Sequence, residues 1–312
     1  MAVNSLNIFA IQELKERQTK DAIQILAKIE ATRQKAKERQ PVELPAVPAA
    51  SPKVVQLPLW PEPVRGVPNS ILRSALFGAI KRGRRTFLQG EPVASYEGVT
   101  ILQTGPRLDQ GDLDVWEQCM HLARTGGLGT RIQFAAHGFL KTIGRNTGKS
   151  QHEWLRNAFR RLASSVVEVK DGKRAYFGPM LHHGTRDDET GHYCIEINPA
   201  IVSLYGSDGW SQVEFDQRKA LKRQPLAQWL HGFYTTHAAP YPIKVETIHR
   251  LSGSENKELK GFRRELREAL AKLEAATGWT WEIDDSDLVQ INKRPTGSQA
   301  RHLIRQKLKG TA

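Results

Sequence analysis

Cysteine is nearly absent from this chain: Cys119 and Cys194 are the only two in 312 residues. That rules out a disulfide framework and points to reduced thiols in a cytosol. Long apolar runs are missing too, so no membrane-spanning helix of about 18 residues or more is expected. Met1–Ala10 has no basic stretch followed by an apolar core, the pattern of a secretory leader, and a cytoplasmic location is expected. Acidic residues are the third shortage. Only 33 Asp and Glu face 46 Lys and Arg, a net charge of +13 and a pI near 9.8. A surplus of that size is the footprint of a polyanion binder, although a merely cationic or ribosome-associated protein carries it as well.

What is present divides the chain. Residues 1–40 are polar and helix-prone, with Ile8, Ile11, Ala22, Ile25 and Ile29 at roughly heptad spacing. The pattern breaks at Lys15 and Gln18, so one or two short amphipathic helices are expected there. Residues 41–68 hold eight of the sixteen prolines and read as an extended linker, because proline lacks an amide hydrogen and restricts the residue before it. Folded material begins near Ser70. Ile71, Leu72, Ala75 and Leu76 form one stripe, and the basic turn Lys81–Arg85 and a strand pair around Val93–Leu102 follow. Asp112 is expected to cap a helix running to Arg124, with Leu113, Trp116, Met120 and Ala123 inward. Further on, Arg174–Leu181 and His192–Ile197 read as a hairpin with His182–Gly191 as its loop.

The central part of the chain repeats itself. Ile132–Phe134 is followed by an apolar helix ending near Gly144, a polar turn, a basic helix over Ser150–Ala163 and a strand at Val166–Val169. Ile243–Val245 is followed by a short helix ending at Gly253, a turn, a basic helix over Glu258–Ala275 and a strand at Trp279–Ile283. Ile132 to Ile243 and Leu162 to Leu273 are both offsets of 111. Strand, helix, turn, basic helix, strand is the order of a winged helix-turn-helix. The expected fold is therefore α+β, with tandem winged-helix domains over 69–214 and 215–294 and an unstructured basic tail over 295–312.

In the first basic helix Leu155, Ala158, Phe159 and Leu162 make the buried stripe. Lys149, Glu153, Arg156, Asn157 and Arg160 fall opposite, and His152 joins them as a candidate DNA contact. Arginine bonds guanine bidentately and asparagine bonds adenine in the same way. In the second helix Leu259, Phe262, Leu266, Leu270 and Leu273 point inward. Lys257, Lys260, Arg264 and Arg267 point outward, with Arg263 at the border. One such helix alone is more often a solvated face. Two in the same context point to duplex DNA, with log affinity falling against log salt at a slope of about −7 if about eight phosphates are neutralised.

The segments Trp60-Pro61-Glu62, Arg65-Gly66-Val67-Pro68-Asn69 and Arg73-Ser74-Ala75-Leu76-Phe77 resemble the TrfA-type plasmid replication initiators. So do Glu97-Gly98-Val99, Phe139-Leu140, Ala239-Pro240-Tyr241-Pro242, Glu246-Thr247 and Gly253-Ser254. The resemblance covers about residues 57–292. It implies two winged-helix domains on directly repeated origin sites (iterons), opening of adjacent duplex, a monomer–dimer equilibrium, and contact with the host helicase and host initiator. Gln56-Leu57-Pro58-Leu59-Trp60 has the shape of a sliding-clamp peptide, with Gln56, Leu57, Leu59 and Trp60 as anchors. The family carries such a peptide just before its Trp-Pro-acid segment, whereas here the two coincide at Trp60. Docking of Leu57, Leu59 and Trp60 on the first domain is the equal alternative.

Other constellations exclude themselves. Gly144–Ser150 has three residues between its glycines where a nucleotide-binding loop needs four. His182, His183, His192 and Cys194 lack the paired spacing of a zinc site, and Asp284, Asp285 and Asp287 lack the glycine and distal glutamate of a calcium loop. No metal or cofactor is expected. Tyr193, Tyr205, Tyr234 and Tyr241 sit where core packing explains them, so no enzyme is expected. A repressor of the same fold and, further off, a DNA nickase are the competing functions.

Overall fold

The computed structural model describes residues 24, 26–28, 30–32, 34 and 55–309, apart from 82, 84, 97, 128–130, 173 and 207–208. The chain divides into two units, Met1–Ser51 and Pro52–Ala312. In the first, the described residues between 24 and 34 are helical and exposed. Ile8, Ile11, Ala22, Ile25 and Ile29 lie outside the described residues, as do 41–54 of the expected linker. Among the described residues, no helix is long and apolar enough to cross a membrane.

The second unit has mixed α+β architecture around two hydrophobic cores. It opens with β1 (Val64–Pro68) and the short α1 (Asn69–Leu72), then β2 (Phe77–Gly78), β3 (Phe87–Val93), β4 (Val99–Pro106) and β5 (Leu108–Asp109). Helix α2 (Gln110–Gly126) is the spine of the first core, with Trp116 and Met120 fully buried. Its cap is Asp109, whose side chain accepts from the Asp112 amide, while Asp112 accepts in return from the Asp109 amide. The sequence assigned the cap to Asp112. The helix starts earlier because the two aspartates share the capping box.

The repeated segments follow: β6 (Arg131–Ala135), α3 (Ala136–Thr142) and α4 (Lys149–Ser164), then β12 (Ile243–Lys244), α7 (Val245–Ser252) and α8 (Leu259–Thr277). Between them lie β7 (Val166–Asp171), β8 (Arg174–Pro179), β9 (His183–Arg186), β10 (His192–Glu196), a 3-10 turn (Pro199–Leu204), β11 (Trp210–Glu214), α5 (Phe215–Ala220) and α6 (Pro225–Thr235). The chain then ends with β13 (Thr280–Ile283), β14 (Leu288–Asn292) and α9 (Gly297–Lys309). Two three-stranded antiparallel sheets have the same plan, β6-β10-β9 in the first copy and β12-β14-β13 in the second.

The expected hairpin is corrected by this pairing. Arg174–Pro179 pairs with Val166–Asp171, and both belong to a four-stranded sheet β3-β4-β7-β8. The true partner of His192–Glu196 is His183–Arg186, inside the stretch read as a loop. Ile132 faces Ile195 and Ile243 faces Val289, so the offset of 111 drops to 94 beyond the helices. The first copy is 17 residues longer between its basic helix and its last strand, and the pair β7–β8 in that stretch completes a separate sheet. The tail also departs from expectation, since Gly297–Lys309 is helical and Gln299 Nε2 donates to the Thr235 carbonyl at 2.7 Å.

The two cores are bolted together. Trp229 Nε1 donates to the Ser74 carbonyl at 2.9 Å, and the Arg73 guanidinium donates to the side chain and carbonyl of Thr236. Arg107 donates to the Gly253 carbonyl at 2.8 Å, and a Cβ on Gly253 would lie 2.8 Å from the Ala75 Cβ. Gly253 also closes α7 at a left-handed φ of 62°, which glycine adopts without strain.

Two histidines in α6 and at its end are kept neutral. Burial first, then the charges of Arg218 and Lys293, lowers the His231 pKa to about 3, and burial with Arg73 lowers His237 to about 4. Both are bases with a folded pKa below the unfolded value of about 6.5. The unfolded chain therefore takes up protons first, and stability present above pH 6.5 is lost as pH falls below it. His231→Phe preserves the stack on Trp279 and is expected to remove about 2 kcal/mol of the loss between pH 7 and pH 5. Urea titrations of both proteins at the two pH values check this; equal losses in the two would refute it.

Candidate nucleic-acid interface

Each basic helix is fixed by its inner face. On α4 the buried residues are Leu155, Ala158, Phe159 and Leu162, as the spacing predicted. Phe159 lies 4.9 Å from Tyr193 on β10 and 5.9 Å from Phe139 on α3, centroid to centroid, and Phe134 on β6 stacks on Phe139 at 4.6 Å. Four rings from four elements thus set the angle of the helix. At its C-terminal end, Arg161 donates from Nε and Nη2 to the fully buried Asp112 carboxylate, the shortest contact being 2.6 Å. On α8, Phe262, Leu266, Ala269, Leu270 and Leu273 are buried, and Phe262 packs on the His249 ring at 4.6 Å. Both turns that lead into these helices use a glycine with positive φ, Gly144 at 72° and Gly253 at 62°.

The outer faces carry the candidate contacts. Lys149 and Arg160 are exposed, and His152, Arg156 and Asn157 are half-buried on the same side of α4. Arg160 Nη1 reaches Asn157 Oδ1 at 3.4 Å. The side chains of Arg156 and Arg160 border a groove of about 310 Å³ whose other wall is β9 and β10, with His183, Thr185 and Arg186 along it. The Arg156 Nε is buried without a hydrogen-bond acceptor. His183 and Arg186 join the face only because β9 exists. The sequence reads His183 as a wing histidine touching phosphates or simply exposed; it leaves Arg186 unmarked, because a four-residue strand of exposed residues has no apolar alternation.

Lys257, just before α8, and Lys260, Arg264 and Arg267 on it are exposed. Arg263 differs from them. Its guanidinium makes a bidentate pair with Asp287, with Nε 3.0 Å from Oδ1, in the turn between β13 and β14. Asp287 has a φ of 59°, and its carbonyl accepts from the Val245 amide at the start of α7. Arg263 therefore braces helix against hairpin, and the border position assigned to it from the sequence becomes a structural one.

The clamp-like segment is built into the first core. Leu57 and Trp60 are 2% and 4% exposed, and only Leu59, at 70%, faces outward. Gln56 Nε2 donates to the Arg124 carbonyl. Trp60 Nε1 donates to His121 Nδ1 at 3.0 Å, and His121 Nε2 donates to Glu62 at 2.9 Å, which fixes a neutral ring between them. Docking on the first core, the equal alternative, describes this segment. Residues 55–68 are accordingly packed chain, with Val64–Pro68 a buried strand paired to β11, and the linker does not extend through them.

Among the described residues, His182, His183 and Glu196 are the one group able to hold a metal ion, with a ligand atom from each within 4.8 Å of the others. This is not the set weighed from the sequence, because Cys194 and His192 are not part of it. The two histidines are about half exposed.

Comparison with known proteins places this arrangement. The family described as TrfA protein matches residues 27–293. The plasmid replication initiator protein TrfA of Escherichia coli is 26% identical over 236 residues, which are 72% of this chain and 61% of that protein. The chain thus spans about three fifths of the length of that relative. Among solved structures, domains 2 and 3 of RctB superpose with a TM-score of 0.50 at 13% identity, covering 72% of this chain and 94% of that one. The Pi initiator protein in complex with iteron DNA gives a TM-score of 0.43 at 11% identity, covering 57% and 88%.

Proposed function

This chain belongs to the TrfA family, and from that premise we propose that it is a plasmid replication initiator that binds repeated duplex sites in an origin. Two tandem winged-helix domains, about 69–214 and 215–294, each set one helix into a major groove. Lys149, His152, Arg156, Asn157 and Arg160 act in one groove, and Lys257, Lys260, Arg264 and Arg267 act in the next. The observation that carries this reading is the twofold occurrence of one plan: a helix, a left-handed glycine turn, a basic helix with its cations outward, and a three-stranded sheet of the same order. A repeated DNA-binding unit suits repeated sites, because several bound copies concentrate distortion on neighbouring duplex. Opening of that duplex and recruitment of host helicase and initiator complete the function. No step of it makes or breaks a covalent bond.

DNase I footprinting together with permanganate probing, on the origin of the plasmid that encodes this protein, tests the reading. Protected repeats are expected, with reactive thymines beside them appearing only when protein is present. Protected repeats without reactive thymines would indicate a repressor instead. A covalent protein–DNA adduct would indicate a nickase.

A further inference from the structure

The seam between the two halves holds a cleft of about 520 Å³ that neither basic helix accounts for. One wall is the turn between α3 and α4, which leads directly into Lys149 and the outer face of α4. The other wall is the turn between α5 and α6. The first turn reaches the helix that precedes the second: a Cβ on Gly144 would sit 3.5 Å from Cγ of Lys219 on α5. On the α4 side it is lined by Gln151 and Trp154, so the cleft opens beside the start of that helix and runs toward the second half.

Its charge is uncompensated. The acidic residues lining it, Asp109 and Asp114, are already paired, Asp109 with Arg85 and Asp114 with the buried Arg218 at 2.8 Å. Lys81, Lys222 and Arg223 also line it, are exposed, and have no acidic partner among the described residues. Cations gathered on a concave surface with their counter-charges neutralised attract an anion. Arg223 adds a second observation. Among the described residues, it and Asp287 are the non-glycine residues with positive φ, and Arg223 stands at 66°. A long charged side chain kept in a backbone conformation suited to glycine marks a place where the side chain is needed.

We propose that this cleft seats the sugar–phosphate backbone of the duplex where it crosses from one half of the protein to the other, with Lys81, Lys222 and Arg223 neutralising its phosphates. The inference rests on the duplex-binding reading and adds a third contact to it, one that positions the two helices on the DNA and reads no base. It also fixes the spacing between the two grooves, because the seam is hydrogen-bonded and rigid.

The test is fluorescence anisotropy with a short random-sequence duplex over a range of salt, for the full chain and for Lys222→Ala/Arg223→Gly. Glycine at 223 relaxes the backbone, so the melting temperature is expected to hold or rise while binding weakens. The slope of log affinity against log salt is expected to become shallower by about 2, close to 0.9 for each cation removed. Arg223→Lys is expected to keep the wild-type slope. An unchanged slope in the double variant, with steep salt dependence in the wild type, overturns the proposal and leaves the reading of the helices standing. A wild type that ignores the duplex sinks both. Inorganic phosphate or a mononucleotide that binds the wild type and not the double variant, with duplex affinity equal in the two, assigns the cleft to a small anion and also overturns it.

Discussion

Replacing Arg218 by methionine is expected to destabilise the fold by about 3–5 kcal/mol near neutral pH. Arg218 is 1% exposed and stands between α2 and α6, where it joins the two cores. Its Nε donates to Asp114 at 2.8 Å, and Nη2 donates to the carbonyl and side chain of Gln110, both at 3.1 Å. Nε has one hydrogen, so Glu117, 3.0 Å from the same nitrogen, is held by charge alone, and neither of its oxygens has a donor. Burial pushes the Glu117 carboxyl up to about 7, against the pull of Arg218. Methionine fills the volume but leaves the fully buried Glu117 beside the 15% exposed Asp114, and the loss is the cost of that unpaired charge. The loss is expected to grow as pH rises above 7 and to level off below it, because without Arg218 the Glu117 carboxyl holds its proton to a higher pH than in the wild type. Adding Glu117→Gln to Arg218→Met is expected to restore part of the stability at neutral pH. Chemical denaturation of the single and double variants at two pH values decides it: a loss that is small, or that ignores pH, removes the cluster as the lock between the cores.

Much of the fold was legible because its basic helices follow strict periodicity. The stripe at Leu155, Ala158, Phe159 and Leu162 is buried as the spacing requires, and so is the stripe from Phe262 to Leu273. The offset of 111 located both strand–helix–turn–helix segments, since the inner residues of both copies answer to the same packing. It failed at the strands, because strand pairing is decided by partners far away in sequence. Val166–Asp171 joins β4 from a distant part of the chain, and the hairpin that matches the second copy starts only at His183. Proline density misled at 55–68 for a related reason. Pro61 and Pro63 are exposed, and β1 offers its hydrogen bonds to β11, more than 140 residues later. At the candidate interface, helical phase identified which cations face outward but not what they touch, so Arg263 resembled its neighbours until Asp287 came beside it. The seam cations were invisible for the same reason: Lys222 and Arg223 become a site only when the α3–α4 turn packs against theirs.

Removing the outward cations of both basic helices is expected to abolish tight duplex binding without unfolding the protein. Arg156, Arg160, Lys260, Arg264 and Arg267 replaced together by alanine should weaken binding at least about a thousandfold, since each base or phosphate contact is worth about 1–3 kcal/mol. The side chains of Arg160, Lys260, Arg264 and Arg267 are exposed and Arg156 is half-buried, so stability should change by only about 0.5 kcal/mol at each exposed position. The informative arms are the partial variants. If both helices enter grooves, Arg156→Ala/Arg160→Ala and Lys260→Ala/Arg264→Ala/Arg267→Ala each weaken binding and each reduce the salt slope by about one per cation. If only one helix does, the other variant binds like the wild type, and the tandem arrangement is wrong even though the duplex is bound. Arg263→Ala separates the brace from the contacts. Its guanidinium is already neutralised by Asp287, so the salt slope should stay near that of the wild type while the loosened hairpin lowers the melting temperature. A drop in slope for Arg263→Ala equal to that of Arg264→Ala would return Arg263 to the DNA face and make Asp287 a partner that the duplex displaces.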